Sequence, residues 1–225
     1  MNTRQIEQDI HQLVSQKNYP CIAAVQALYR KEYVYDVYTE FGSGKSGTTL
    51  AENLIRFKHK QQTEKLPYLT YFALFPQDQS QTESEFEAKL WNELSAAATL
   101  DSRSGWDPQF SDNPEDKNFC FCLDGSAFFV VGMNSVSSRK SRRFPYDALV
   151  FNLYSQFHDL MQEGVYDNMV KLNRERDMRF EGTVNPMVEK YNEEWESIQF
   201  SGRQNGPEWK CPFKKGLSFL TAGLL

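Results

Sequence analysis

Asp124-Gly125 stands between two apolar, β-rich runs, Phe119 to Leu123 and Ala127 to Met133. Two residues of this type between such runs are among the stronger local signals for a β-hairpin, because both turn positions need a positive φ. The two runs are read as the central hairpin of a sheet, and the alternation predicts which side chains share a face. Cys120 and Cys122 fall on one side of the first strand, with Phe119, Phe121 and Leu123 on the other. Directly after the hairpin come Ser137, Ser138, Arg139, Lys140, Arg142 and Arg143, a cationic, hydroxyl-rich loop suited to holding an anionic group. The next apolar run, Ala148 to Phe151, is expected to open a helix.

The remaining elements follow from periodicity. Ile6, Ile10, Leu13 and Val14 recur at helical spacing and predict an amphipathic helix over residues 3–16, with Asn18 as its stop before Pro20. Tyr33 to Phe41 and Tyr68 to Phe75 read as strands. A helical pattern runs from Leu50 through Phe57, and another presents Phe86, Leu90 and Leu94 inward. Residues Asp101 to Pro114 form a long polar loop. From Asn152 to about Phe180 the pattern is helical with a break at Gly164, and Arg174, Glu175, Arg176 and Asp177 are expected to solvate one face with spaced ion pairs. YNEEWESI reads as a short helix, and the tail from Lys214 to Leu225 is expected to pack back on the domain. Helices and strands are interspersed with no convincing linker. The fold class expected is therefore α+β, a single domain over 1–225 with a mixed central sheet, one antiparallel hairpin and flanking helices.

Function classes can be narrowed from the same residues. Hydrophobic residues make up 40% of the 225-residue chain and aromatics 14%, enough for a core or an enclosed pocket. The net charge of −5 argues against nucleic acid as a partner, since phosphate binding needs a broad basic face. No apolar run approaches the roughly 20 residues needed to span a bilayer, and the N-terminus has no apolar leader core, so no membrane partner and a cytoplasmic location are expected. Cys21, Cys120, Cys122 and Cys211 are then free thiols. Cys120 and Cys122 lack zinc-ligand spacing. The stretch FGSGKSGTT suggests a phosphate cradle, but a P-loop ending at Gly44-Lys45-Ser46 needs its first glycine at position 39, which is Thr39.

Several motifs taken together carry a family resemblance: GSAFFVVGM, SSRKSRRFP and VFNLYSQF in the middle of the chain, YPC at Tyr19, EFEAKLW at Trp91, GWDP at Trp106, RERDMRFEGTVNPM, and SGR followed by WKCPF. In this order they resemble the YqcI/YcgG family of bacterial proteins. The resemblance implies a haem b-dependent oxygenase that N-hydroxylates a guanidine group on free arginine or a small guanidino compound, with a reductant or peroxide left unspecified. It also implies an axial ligand to the haem iron. Where the family carries histidines, this chain has Asn134 and Tyr154, leaving either Tyr154 as a phenolate or His158, one helical turn on, as the ligand. Arg139, Arg142, Arg143 and Arg203 are the expected partners of the haem propionates, and Cys211-Pro212 resembles haem-associated dipeptides. Asp107 and Asp124 are the expected carboxylates for the substrate guanidinium, with Glu115 and Asp116 beside them. The alternative, favoured by Asn134 and Tyr154, is a non-catalytic haem- or small-molecule-binding protein on the same scaffold. A homodimer is one assembly left open.

Overall fold

A computed structural model describes residues 2–99, 105–185 and 196–215. Its framework is a five-stranded mixed sheet of β1 (Tyr33–Val37), β2 (Thr70–Phe75), β3 (Cys122–Leu123), β4 (Ser126–Met133) and β5 (Asp147–Leu153), in the order β1-β2-β5-β4-β3. β1 and β2 run parallel, and every other neighbouring pair is antiparallel. The helices are α1 (Thr3–Val14), α2 (Ile22–Arg30), α3 (Gly47–Glu64), α4 (Glu83–Ala98), α5 (Tyr154–Gln162) and α6 (Tyr166–Glu181). The expected α+β class with a mixed sheet is what the chain adopts. α3 is the crossover that a parallel pair requires.

Local chemistry explains most boundaries. Asn2 caps α1, its side chain accepting from the Gln5 amide at 2.9 Å, and Asn18 takes a φ of 65° just past the helix end. In the hairpin, Cys122 faces Ala127 and Leu123 faces Ser126, leaving Asp124 (φ 50°) and Gly125 (φ 68°) as the two-residue turn. Both dihedrals are positive, as a type I′ turn demands.

Three expectations are corrected. The run Ala148 to Phe151 does not open a helix: it lies within β5, the middle strand, and the helix starts at Tyr154. A short apolar run buried on both sides looks alike in either state, and pairing with β2 and β4 decides it. The hairpin is not central, because β3 is a two-residue edge strand. Asp177 is not a solvated surface charge, since it is buried and paired with Arg139. The expected helix over YNEEWESI falls partly outside the described residues, as does most of the tail; Glu196–Gln199 forms a 3-10 turn.

The sheet separates two cores. On one face, Tyr71, Ala73 and Phe75 of β2, Leu149, Phe151 and Leu153 of β5, and Phe128 and Val130 of β4 pack with α3 and α4. On the other, Phe72, Leu74, Ala148, Val150 and Met133 meet Ile6, Ile10, Leu13 and Val14 of α1. The uninterrupted apolar composition of β2 follows from burial on both faces. All of Phe119 to Leu123, the two cysteines included, belongs to the α3–α4 core.

The outer edge of β4 is covered by two segments. The Phe128 amide donates to Phe121 O at 2.9 Å and the Gly132 amide to Phe200 O at 2.7 Å. A Cβ at Gly132 would lie 2.5 Å from the Phe86 ring and 2.9 Å from Phe200 O. Gly132→Ala is therefore expected to destabilise the protein by about 1–3 kcal/mol, read as a lower urea midpoint at unchanged slope. A midpoint equal to that of the parent would show that the ring and strand edge give way freely.

Candidate functional site at the hairpin rim

Tyr154 is placed where β5 ends and α5 begins. Gln156 locks that junction: its carbonyl oxygen accepts from the Leu153 amide at 2.8 Å, and its amide donates to Leu69 O at 3.0 Å. The Tyr154 ring then meets Phe110 at 4.8 Å and Phe129 and Phe157 at 6.1 Å each. Its hydroxyl is buried and has no hydrogen-bond partner among the described residues. Leaving such a group unpaired costs about 1–3 kcal/mol, so it marks a place worth explaining.

Asp107 supplies the other wall. Its carboxylate accepts from the Gln109 amide at 3.0 Å and the Ala127 amide at 3.2 Å, tying the 105–118 loop to the start of β4. That tie sets Phe110 over Tyr154. The adjacent Trp106 donates to Ser111 O, and Lys215 lies 5.1 Å from its ring centroid, so the protein's own ammonium occupies this aromatic face. Asp124, at the hairpin turn, is paired with Lys58.

A third carboxyl, Glu196, lies in no sequence motif. Burial alone pushes it up to about 8, and it has neither a hydrogen bond nor an ion pair among the described residues. Burial, then Cys122, Glu196 and Asp107 hold the Cys120 thiol well above its ordinary value, so both carboxyls act on the same thiol. The tertiary arrangement thus ties the Asp107 loop, with Phe110, to Tyr154 and the start of β4, and brings Glu196 within electrostatic reach of the neighbouring Cys120. No motif announces Glu196, whose only signal is an acid beside the apolar Trp195 and Ile198.

The other expected site residues lie elsewhere. Asn134 follows Met133, which pairs with Ala148, whereas Tyr154 follows Leu153, which pairs with Phe128. The β4–β5 ladder therefore holds Asn134 and Tyr154 apart by roughly 20 Å at about 3.4 Å per residue. The cationic loop sits at the Asn134 end: the Asn134 amide donates to Arg142 O and the Phe144 amide to Asn134 O, both at 3.1 Å. Arg139 pairs with Asp177 at 2.6 Å, and Arg143 donates to Ser137 O at 2.8 Å. Arg142 is buried, which lowers it to about 10, and it donates to Phe200 O at 3.1 Å. Arg203 pairs with Glu87 at 2.9 Å. His158 is exposed, with Nε2 2.9 Å from the Gln162 amide. Burial pushes the Cys211 thiol up to about 12. Of the arginines expected for the propionates, Arg139, Arg142 and Arg143 lie at the far end of the ladder from Tyr154, and all four are engaged by other protein groups.

The glycine-rich loop is also accounted for. Glu40, Gly42 and Gly44 all have positive φ, and the Gly42 amide donates to the buried Glu93 carboxyl at 2.9 Å. Lys45 pairs with Glu40 at 2.7 Å. The donors that would cradle a phosphate are turned onto the protein's own acids.

Comparison with known proteins adds the lineage. A family model for the YqcI/YcgG family matches residues 10–214. The chain belongs to the YqcI/YcgG family. Within this family it is similar to the uncharacterized protein YqcI of Bacillus subtilis (strain 168), 25% identical over 210 residues that cover 89% of this chain and 82% of the relative. It is likewise similar to the uncharacterized protein YcgG of the same organism, 25% identical over 205 residues covering 87% and 80%. No solved structure matches the chain. Among the described residues, no helix is long and apolar enough to cross a membrane, and no group of three or more His, Cys, Asp or Glu side chains is arranged to hold a metal ion.

Proposed function

We propose that this YqcI/YcgG protein binds a small guanidino compound, arginine or a relative of it, at the hairpin rim. The observation that carries the reading is Glu196, a largely desolvated carboxyl with no cation beside it among the described residues, which acts on the Cys120 thiol together with Asp107, the residue whose loop carries Phe110 onto Tyr154. A guanidinium answers each feature: its planar fork pairs with carboxylates and its face stacks on aromatic rings. A compact ammonium meets fewer of them.

The test is calorimetric titration with arginine, lysine and citrulline. Arginine is expected to bind roughly tenfold or more tightly than citrulline, its uncharged isostere, and Glu196→Gln to remove that preference. Because burial raises Glu196 to about 8, the carboxyl is largely neutral below that pH and ionised above it. Arginine affinity should therefore rise as pH is taken from about one unit below that value to about one unit above it, and the rise should vanish in the glutamine variant. Equal affinity for arginine and citrulline would remove this reading.

Haem-dependent N-hydroxylation of the same guanidine, implied by the resemblance, is the second reading. One observation favours it: the Tyr154 hydroxyl is buried without a hydrogen-bond partner among the described residues, and phenolate is a known haem iron ligand. Haem would supply the activation of oxygen or peroxide; the chain's residues would orient the guanidine and exclude water. Titration with haemin checks it. A stoichiometric Soret band lost in Tyr154→Phe supports this reading, a band lost only in His158→Ala moves the ligand to His158, and no saturable band removes the oxygenase.

A further inference from the structure

Helix α2 is apolar around most of its circumference, with Ile22, Ala23, Ala24, Val25, Ala27 and Leu28, yet only Ala27 of it is buried. A helix of that composition belongs inside a core. Instead, a cleft opens beneath it, between α1, α2 and the sheet. The inner end is a cavity of about 80 Å³ walled by Ala24, Leu28, Phe72, Val131 and Val150. Its polar neighbours are already satisfied: the Asn152 amide donates to Thr70 Oγ1 at 3.0 Å and to Leu69 O at 3.1 Å. With those donors spent on each other and on the backbone, the inner end offers an entering group little besides hydrocarbon.

Outward, the cavity shares Val14, Leu28 and Tyr33 with a broader groove of roughly 870 Å³ that runs against β1. Glu7, His11 and Lys31 line this groove. Burial and then Glu7 raise the Tyr33 hydroxyl, placing Glu7 toward the Tyr33 wall. Lys31 is the left-handed cap of α2, at a φ of 58°, so the end of that helix sets this residue's backbone at the wall of the groove.

We infer that this cleft binds an amphipathic anion, an unbranched aliphatic chain ending in a carboxylate. The tail enters the apolar inner end and the carboxylate meets Lys31 at the mouth. The small inner cavity admits only the last few carbons of a thin chain, while the groove holds the rest. A sugar or nucleotide would strand its polar groups against these walls. The site is separate from the hairpin rim, and none of the rim's Asp107, Phe110, Tyr154 or Glu196 lines it.

Decanoate and 1-decanol, titrated into the full chain, test this inference. Decanoate is expected to bind saturably, and Val131→Trp, which fills the inner end, to weaken both ligands by roughly tenfold or more. Lys31→Gln, at an exposed position, should weaken decanoate by roughly threefold, the reach of an exposed charge pair, and leave decanol unchanged. If Val131→Trp does not fold, Ala24→Met on the opposite wall serves the same purpose. The inference is overturned if decanoate shows no saturable binding below about 1 mM, or if filling the inner end changes neither affinity. Loss of arginine binding without loss of decanoate binding would remove the guanidinium reading alone.

Discussion

Glu87→Ala is expected to destabilise the protein by about 3–5 kcal/mol, the range for removing one member of a buried, charged hydrogen-bond network. The buried Glu87 carboxylate, on α4, gathers four donors from the closing segment: Ser201 Oγ at 3.0 Å, Asn205 Nδ2 at 2.7 Å, Trp209 Nε1 at 3.2 Å and Arg203 Nη1 at 2.9 Å. An alanine removes this shared acceptor from all four at once. Glu87→Gln keeps one acceptor oxygen and should fall between parent and alanine variant. The consequence extends beyond stability, because this segment carries Phe200, whose carbonyl closes the edge of β4 and whose ring meets Phe129 of the rim. Urea denaturation checks the size of the effect, and an alanine variant within about 1 kcal/mol of the parent would show that water replaces the carboxylate at little cost.

Between about pH 4.5 and pH 7 the protein should lose stability through Glu93. Burial raises this carboxyl from its ordinary 4.5 to about 7, and the Gly42 amide only partly offsets the loss of water. In that interval the unfolded chain has released the proton while the folded chain still holds it. Stability from this group is therefore greatest below about pH 4.5, falls as pH rises, and levels off above about 7, for a total of about 3 kcal/mol. Asp147 works in the same direction at lower pH: burial raises it from 3.8 to about 6, and it accepts from the Ser80 amide and hydroxyl. Glu93→Gln should match the parent near pH 5 and exceed it near pH 8 by about 1–3 kcal/mol. A constant difference between the two proteins across that range would mean that Glu93 does not titrate there.

These two acids illustrate a limit of sequence reading. Glu87 and Glu93 sit in a helix whose apolar positions are plain from periodicity, and each looks like one more charge on its solvent side. What makes them structural is the arrival of distant segments, residues 201–209 over one and the Glu40–Gly44 loop over the other. The arginine loop shows the converse. Its charge density suggests an anion site, yet Arg139 is answered by Asp177 and Arg142 by the Phe200 carbonyl, partners 38 and 58 residues away along the chain. The rim is legible in part: Asp107 and Tyr154 stand out as residues, but Glu196 becomes conspicuous only when folding removes its water.

Local features of the chain are determined by sequence alone, because steric and hydrogen-bonding rules act over a few residues. The Asp124-Gly125 turn, the caps and apolar stripes of α1 and α4, the mismatch of the glycine loop with a P-loop, and the motif order that marks the family all belong here. The tertiary structure decided what those rules leave equal. It made Ala148–Phe151 a strand, since a short apolar run buried on both sides suits strand or helix until its neighbours pair with it. It also decided which charges are spent and which remain, because a charged side chain's role depends on the partners and the solvent that long-range packing brings to it or takes away.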